Sequence, residues 1–141
     1  MINNVIEKWH RFLTGDLPGG LDALLADDVV FYSPVVFTPQ KGKAVTMLYL
    51  TAAGSAFGAS PGSPGGGKGT STFRYTKEVM AGHQAVLEFE AEVGGKYING
   101  VDIITCNPAG KIIEFRVMVR PLQAVNMMHE QMKALLEQMK S

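Results

Sequence analysis

A single cysteine, Cys106, excludes an internal disulfide. Its ordinary place is as a small buried hydrophobe in a strand, in a reducing compartment. Charge of one sign is also lacking. Thirteen Lys and Arg balance thirteen Asp and Glu, so no net field recruits nucleic acid or an anionic membrane. No apolar run is long enough for a bilayer, and the start, M-I-N-N-V-I-E-K-W-H, lacks the basic region and apolar stretch of a secretory signal. A cytoplasmic protein without nucleic-acid or membrane partners is therefore expected. His10, His83 and His129 show no H-x-x-x-H or similar spacing, so neither a metal site nor a cofactor is expected. At 141 residues the chain is long enough to bury its own core as one domain over residues 1–141.

Glycine, by contrast, is concentrated in G58-A-S-P-G-S-P-G-G-G-K-G-T-S71. Two motifs nearly fit there. From Gly62 the chain reads G-S-P-G-G-G-K-G, but Gly69 stands where a phosphate-binding loop needs a hydroxyl for Mg²⁺. The order of elements is also reversed, since a helical pattern precedes the loop and β-formers follow it. From Gly58 it reads G-A-S-P-G, a formal nucleophile elbow around Ser60. There Pro61 has no N–H to give to an oxyanion hole. With six glycines in twelve residues, 58–69 is expected to be a mobile connection that binds no nucleotide.

Ile2, Val5, Ile6, Trp9, Phe12 and Leu13 follow helical spacing, and Gly15 is placed to end that helix. Asp16 can cap a short second helix with Pro18 in its first turn and Leu21, Leu24 and Leu25 facing inward. Val29-V-F-Y32 reads as a strand stopped by Ser33-Pro34, and 42–57 as a third helix. Four consecutive strands follow, punctuated at Ala81-Gly-His83, Gly94-Gly95 and Asn107-Pro-Ala-Gly110. In 85–93, Ala85, Leu87, Phe89, Ala91 and Val93 alternate with a mostly acidic face, which can pair with Arg74, Arg116 or Arg120. After Pro121 a Met-rich helical stripe runs from Leu122 to Met139 and is expected to pack on the sheet. The fold class is α+β: helices first, then a curved antiparallel sheet wrapping around them, and a C-terminal helix.

Asp102 is the anomaly. Ile98-N-G-V-D-I-I-T-C106 is apolar on both faces with this one carboxylate in its middle. Desolvation there raises a carboxyl pKa and suits it to act as a base or a neutral donor; the plain alternative is an aspartate turned to water or to a backbone N–H. His10 follows Trp9 and lies about 100° round the helix from it, which can bring it to a cavity edge. Tyr32 and Ser33 end a strand beside the apolar P34-V-V-F-T-P39 loop, a common place for a pocket wall, although a packed phenol and a turn serine are the leading explanation.

Ala26-D-D-V-V-F-Y-S-P34 after a short helix, with G-V-D-I-I-T-C-N-P-A-G-K-I-I-E-F-R at 100–116, resembles the nuclear transport factor 2-like superfamily, and within it the SnoaL-like branch of polyketide cyclases related to ketosteroid isomerase. The resemblance spans essentially the whole chain. It implies a cone-shaped antiparallel sheet closed by the N-terminal helices around an interior pocket, and a homodimer through the outer sheet face. It places Asp102 where the isomerase keeps a neutral aspartic acid in its oxyanion hole. Ser33 falls at the general-base aspartate and cannot replace it, and no tyrosine stands near Lys8 or Trp9 for the helix-one tyrosine. Two readings follow. In one, a small apolar, carbonyl-containing molecule binds in a pocket lined by Trp9, Phe31, Leu87, Phe89, Phe115, Val117 and Val119, with Asp102 as the convergent polar group and His10, Tyr32 or Ser33 beside it, for isomerisation, cyclisation or dehydration by proton transfer. In the other, the pocket is filled by its own side chains and the chain is a non-catalytic dimeric interaction or ligand-binding domain. The apolar outer positions Val101, Ile103, Thr105 and Met118 suggest the homodimer in either case.

Overall fold

The computed structural model describes residues 1–57 and 72–140. The glycine-rich segment 58–69, with its near-motifs, lies outside the described residues.

Helix α1 (Ile2–Leu13) buries Ile2, Val5, Ile6 and Trp9 as one stripe. The Gly82 carbonyl accepts from the Ile2 N–H at 3.0 Å, anchoring an otherwise unpaired first-turn donor. The helix closes through Gly15 at φ 78°, whose N–H bonds to the Phe12 carbonyl at 3.0 Å while that of Asp16 bonds to Arg11 at 2.8 Å. This crossed pair is the Schellman closure that a left-handed glycine permits.

Asp16 does not cap the second helix, whose N-cap is Gly19. Helix α2 (Gly20–Leu24) starts later, behind Gly19, whose φ of 82° glycine adopts without strain. Strand β1 (Leu25–Tyr32) then begins earlier than expected and takes Leu25 with it. A two-residue strand β2 (Gln40–Lys41), too short to leave a pattern, pairs with it. Helix α3 (Lys43–Phe57), β3 (Arg74–Ala81), β4 (Gln84–Val93), β5 (Lys96–Cys106), β6 (Ile112–Arg120) and helix α4 (Leu122–Lys140) complete the chain.

The six strands form one curved, unclosed sheet in the order β2-β1-β6-β5-β4-β3. It is antiparallel with one exception: β1 runs parallel to β6, with Phe31 beside Phe115 and Tyr32 beside Arg116. The helices carry the chain back across the sheet, so the first strand meets the last from the same direction.

Side-chain alternation sets the two faces. On β5, Ile98, Gly100, Asp102, Ile104 and Cys106 turn inward and are buried, while Val101, Ile103 and Thr105 are half-buried on the outer face. Helix α1 covers an inner cluster of Val5, Ile6, Leu24, Val29, Phe31 and Phe115. Helix α4 covers a second, around Phe89, Ile98, Met128 and Met132. Tyr75 and Val117 touch both. Beside Asp102, Gly100 is required by close approach, because a Cβ there would lie 2.5 Å from both the Met118 carbonyl oxygen and the Phe89 ring.

Candidate functional site

Where the two clusters meet they leave a cavity of about 50 Å³, enough for a few waters, walled almost wholly by apolar side chains. Helix α1 contributes Trp9, Phe12 and Leu13, the sheet contributes Phe31, Phe89, Phe115 and Val117, and Phe73 stands just ahead of β3. Pro34, Leu50, Ala53, Met128 and Met132 close the remaining sides. The polar side chains in the wall are Asp102 and Tyr75.

Asp102 is 6% exposed. The Tyr75 hydroxyl donates to its Oδ2 at 2.6 Å, and the Trp9 indole N–H donates to the Tyr75 oxygen at 2.9 Å. Three residues from α1, β3 and β5 thus form one chain of hydrogen bonds ending on the carboxyl. Burial pushes the Asp102 carboxyl up to about 7, held back by the hydrogen bond from Tyr75. Burial, reinforced by the neighbouring Asp102, holds the Tyr75 phenol well above its ordinary value, against the opposing bond from Trp9. A carboxyl balanced near neutrality in an apolar cavity can both give and take a proton.

A β-bulge on β3 places Tyr75. Tyr75 pairs with Phe89 but Lys77 pairs with Glu88, so Thr76 is an extra residue. The bulge lets Tyr75 and Glu78 both face inward, Glu78 opposite the buried Leu87. Glu78 meets His10 of α1, with Nε2 to Oε2 at 2.7 Å and side chains 39% and 30% exposed. The His10 ring stands edge-on to Tyr75 at 5.5 Å between centroids.

Of the residues anticipated from sequence, Trp9, Phe31, Phe89, Asp102, Phe115 and Val117 come together in the cavity wall. The others stand elsewhere. His10 is outside the wall at the rim, held by Glu78 rather than by Asp102. Leu87 is the cross-strand partner of Asp102 on the inner face, but it is wholly packed in the first cluster. Tyr32, Ser33 and Val119 line an outer groove. That groove exists because β1 turns away at Ser33, where the Val35 N–H bonds to Ser33 Oγ at 3.1 Å, and leaves the end of β6 open. The Arg116 guanidinium covers the Tyr32 ring at 3.8 Å.

Tyr75 was not anticipated, because strict alternation cannot register a bulge; F-R-Y in a strand was the only signal. Phe73 and the α3 and α4 residues are likewise visible only once distant segments are packed. Among the described residues no cluster of His, Cys, Asp or Glu could hold a metal ion, and no helix is long and apolar enough to cross a membrane.

No family model matches the chain, and no curated protein matches it by sequence. Solved structures do. A steroid delta-isomerase from Pseudomonas aeruginosa is 28% identical with a TM-score of 0.82, the match covering 99% of this chain and 94% of that one. A bacterial protein with a cystatin-like fold from Silicibacter pomeroyi is 29% identical with a TM-score of 0.76, over 92% of this chain and 83% of its own. A nuclear transport factor 2-like protein of unknown function from Mesorhizobium loti, 18% identical over 84% of this chain and 90% of its own, shares the fold with a TM-score of 0.64. With its one-sided helices, open curved sheet and interior cavity, the chain has the cystatin-like, nuclear transport factor 2-like fold, and these likenesses support the nuclear transport factor 2-like, SnoaL-like superfamily.

Proposed function

We propose that the protein binds a small apolar molecule bearing a carbonyl group in the inner cavity and transfers a proton beside that carbonyl through Asp102. The observation that carries this is a buried carboxyl, poised near neutrality and hydrogen-bonded to Tyr75, in an otherwise apolar wall. As carboxylate, Asp102 takes a proton from the carbon beside the carbonyl. As acid, it returns the proton to another carbon of the same conjugated system, giving an isomer, or to a leaving hydroxyl, giving water and an alkene. The likeness to a steroid delta-isomerase supports the same class of chemistry. Neither step needs a metal or an organic cofactor.

Exchange in heavy water tests the reading. Small ketones incubated with the protein in D₂O should gain deuterium beside the carbonyl, measured by mass spectrometry, and Asp102→Asn should lower the rate by ~10²-fold or more. Exchange no faster than in buffer, for ketones shown to bind, would leave a binding protein without catalysis.

The protein acts as a homodimer in this reading, through the outer sheet face. Support comes from Met118, 51% exposed beside the half-buried Val101, and from Phe37, fully exposed on the adjoining loop.

A further inference from the structure

The geometry points to Trp9 as a positioning residue for proton transfer: by filling one side of the Tyr75 oxygen it turns the Tyr75 hydrogen onto Asp102 Oδ2, so that the exchangeable proton of Asp102 is carried on Oδ1. This rests on the reading of Asp102 as the proton-transfer group.

The argument is a count of donors and acceptors. An indole N–H only donates, and Trp9 spends its hydrogen on the Tyr75 oxygen at 2.9 Å. A phenol hydrogen prefers the plane of its ring and has two positions there. With Trp9 holding a hydrogen at one, the phenol hydrogen takes the other, which faces Oδ2 at 2.6 Å. Were Asp102 to protonate on Oδ2 and donate to Tyr75 instead, the Tyr75 hydrogen would need a new acceptor. The rings packed against the Tyr75 ring are Phe73 and Phe89, which carry no lone pair, and His10, whose Nε2 is turned to Glu78. A buried donor without an acceptor is costly, so Oδ2 stays an acceptor in both protonation states. With Oδ2 held as an acceptor by Tyr75, Oδ1 is the oxygen that gains and loses the proton.

Asp102 thereby becomes directional. Its bound oxygen is fixed by Tyr75, and its reactive oxygen is the other one. Trp9 also polarises the Tyr75 O–H and so strengthens the bond to the carboxylate. The charged groups around this chain are few. His10 of α1 and Glu78 of β3 pair with each other at the rim, and the cavity residues of β1, β4, β6, α3 and α4 carry no charge.

The test is carboxyl titration by ¹³C NMR of the wild type, Trp9→Phe, Tyr75→Phe and the double variant, each confirmed folded by its thermal transition. Both single variants should raise the Asp102 midpoint, Tyr75→Phe by more, and the double variant should match Tyr75→Phe alone, because Trp9 acts only through Tyr75. An unchanged midpoint in Trp9→Phe, or effects that simply add, overturns the proposal. If Trp9→Phe does not fold, the wild type still decides it: the Trp9 indole proton should be protected from solvent exchange, and exchange at the rate of free indole overturns it. These readings are independent of turnover. Ketone exchange that survives Asp102→Asn would instead overturn the catalytic role while leaving the hydrogen-bond order standing.

Discussion

Tyr75 and Glu78 face the same side of β3 although regular alternation would set them on opposite sides, because the bulge at Thr76 inserts one residue between them. Tyr75 reaches inward to Asp102, while Glu78 reaches the rim and binds His10. One irregularity therefore supplies both the hydrogen bond to the buried carboxyl and the His10 contact that ties α1 to the sheet beside it.

The His10–Glu78 contact is partly solvated, with side chains 39% and 30% exposed. His10→Ala should cost no more than about 1 kcal/mol, and less in high salt. Urea midpoints at low and high ionic strength measure this; a loss of several kcal/mol would show that the pair holds α1 in place.

The fold stabilises the neutral form of Asp102, so its midpoint moves from 3.8 up to about 7. Below about pH 4 the group is protonated in both the folded and the unfolded chain and adds no penalty. As pH rises from there to 7, the unfolded chain releases the proton first, so folding stability falls, and the loss is complete above 7. Three pH units correspond to about 4 kcal/mol. Asp102→Asn should therefore gain on the wild type across that window. Urea midpoints of both proteins at pH 4 and pH 8 test it; a constant difference would mean that the carboxyl is ionised without penalty.

Gly100→Ala should destabilise the protein by roughly 1–3 kcal/mol. The new Cβ would meet the Met118 carbonyl oxygen at 2.5 Å, and a backbone atom in the middle of a ladder cannot move aside as a side chain can. A thermal transition equal to that of the wild type would show that β5 and β6 separate more easily than their register implies.

Sedimentation equilibrium at micromolar concentration should give twice the 15.2 kDa chain mass. Met118→Glu, which puts a charge on the exposed outer face, should return the protein to monomer. A wild-type monomer would exclude the proposed assembly.

The sequence by itself determined what is periodic. Helical spacing from Ile2 to Leu13, the left-handed stop at Gly15, the strand alternation on β4 and the inward parity of Asp102 with Ile98, Ile104 and Cys106 all stand in the structure as they read in the chain. Each is a local rule, in which one neighbour on the chain fixes the direction of the next. Packing decided what local rules cannot reach. The parallel pairing of β1 with β6 joins segments separated by most of the chain. The β3 bulge breaks the alternation from which Tyr75 would have been read, and α2 starts behind the left-handed Gly19 rather than at Asp16. The partners of Asp102 depend on all three dimensions at once: Trp9, Tyr75 and Asp102 lie on three separate elements and meet only because a helix, a bulged strand and a central strand pack on one apolar core.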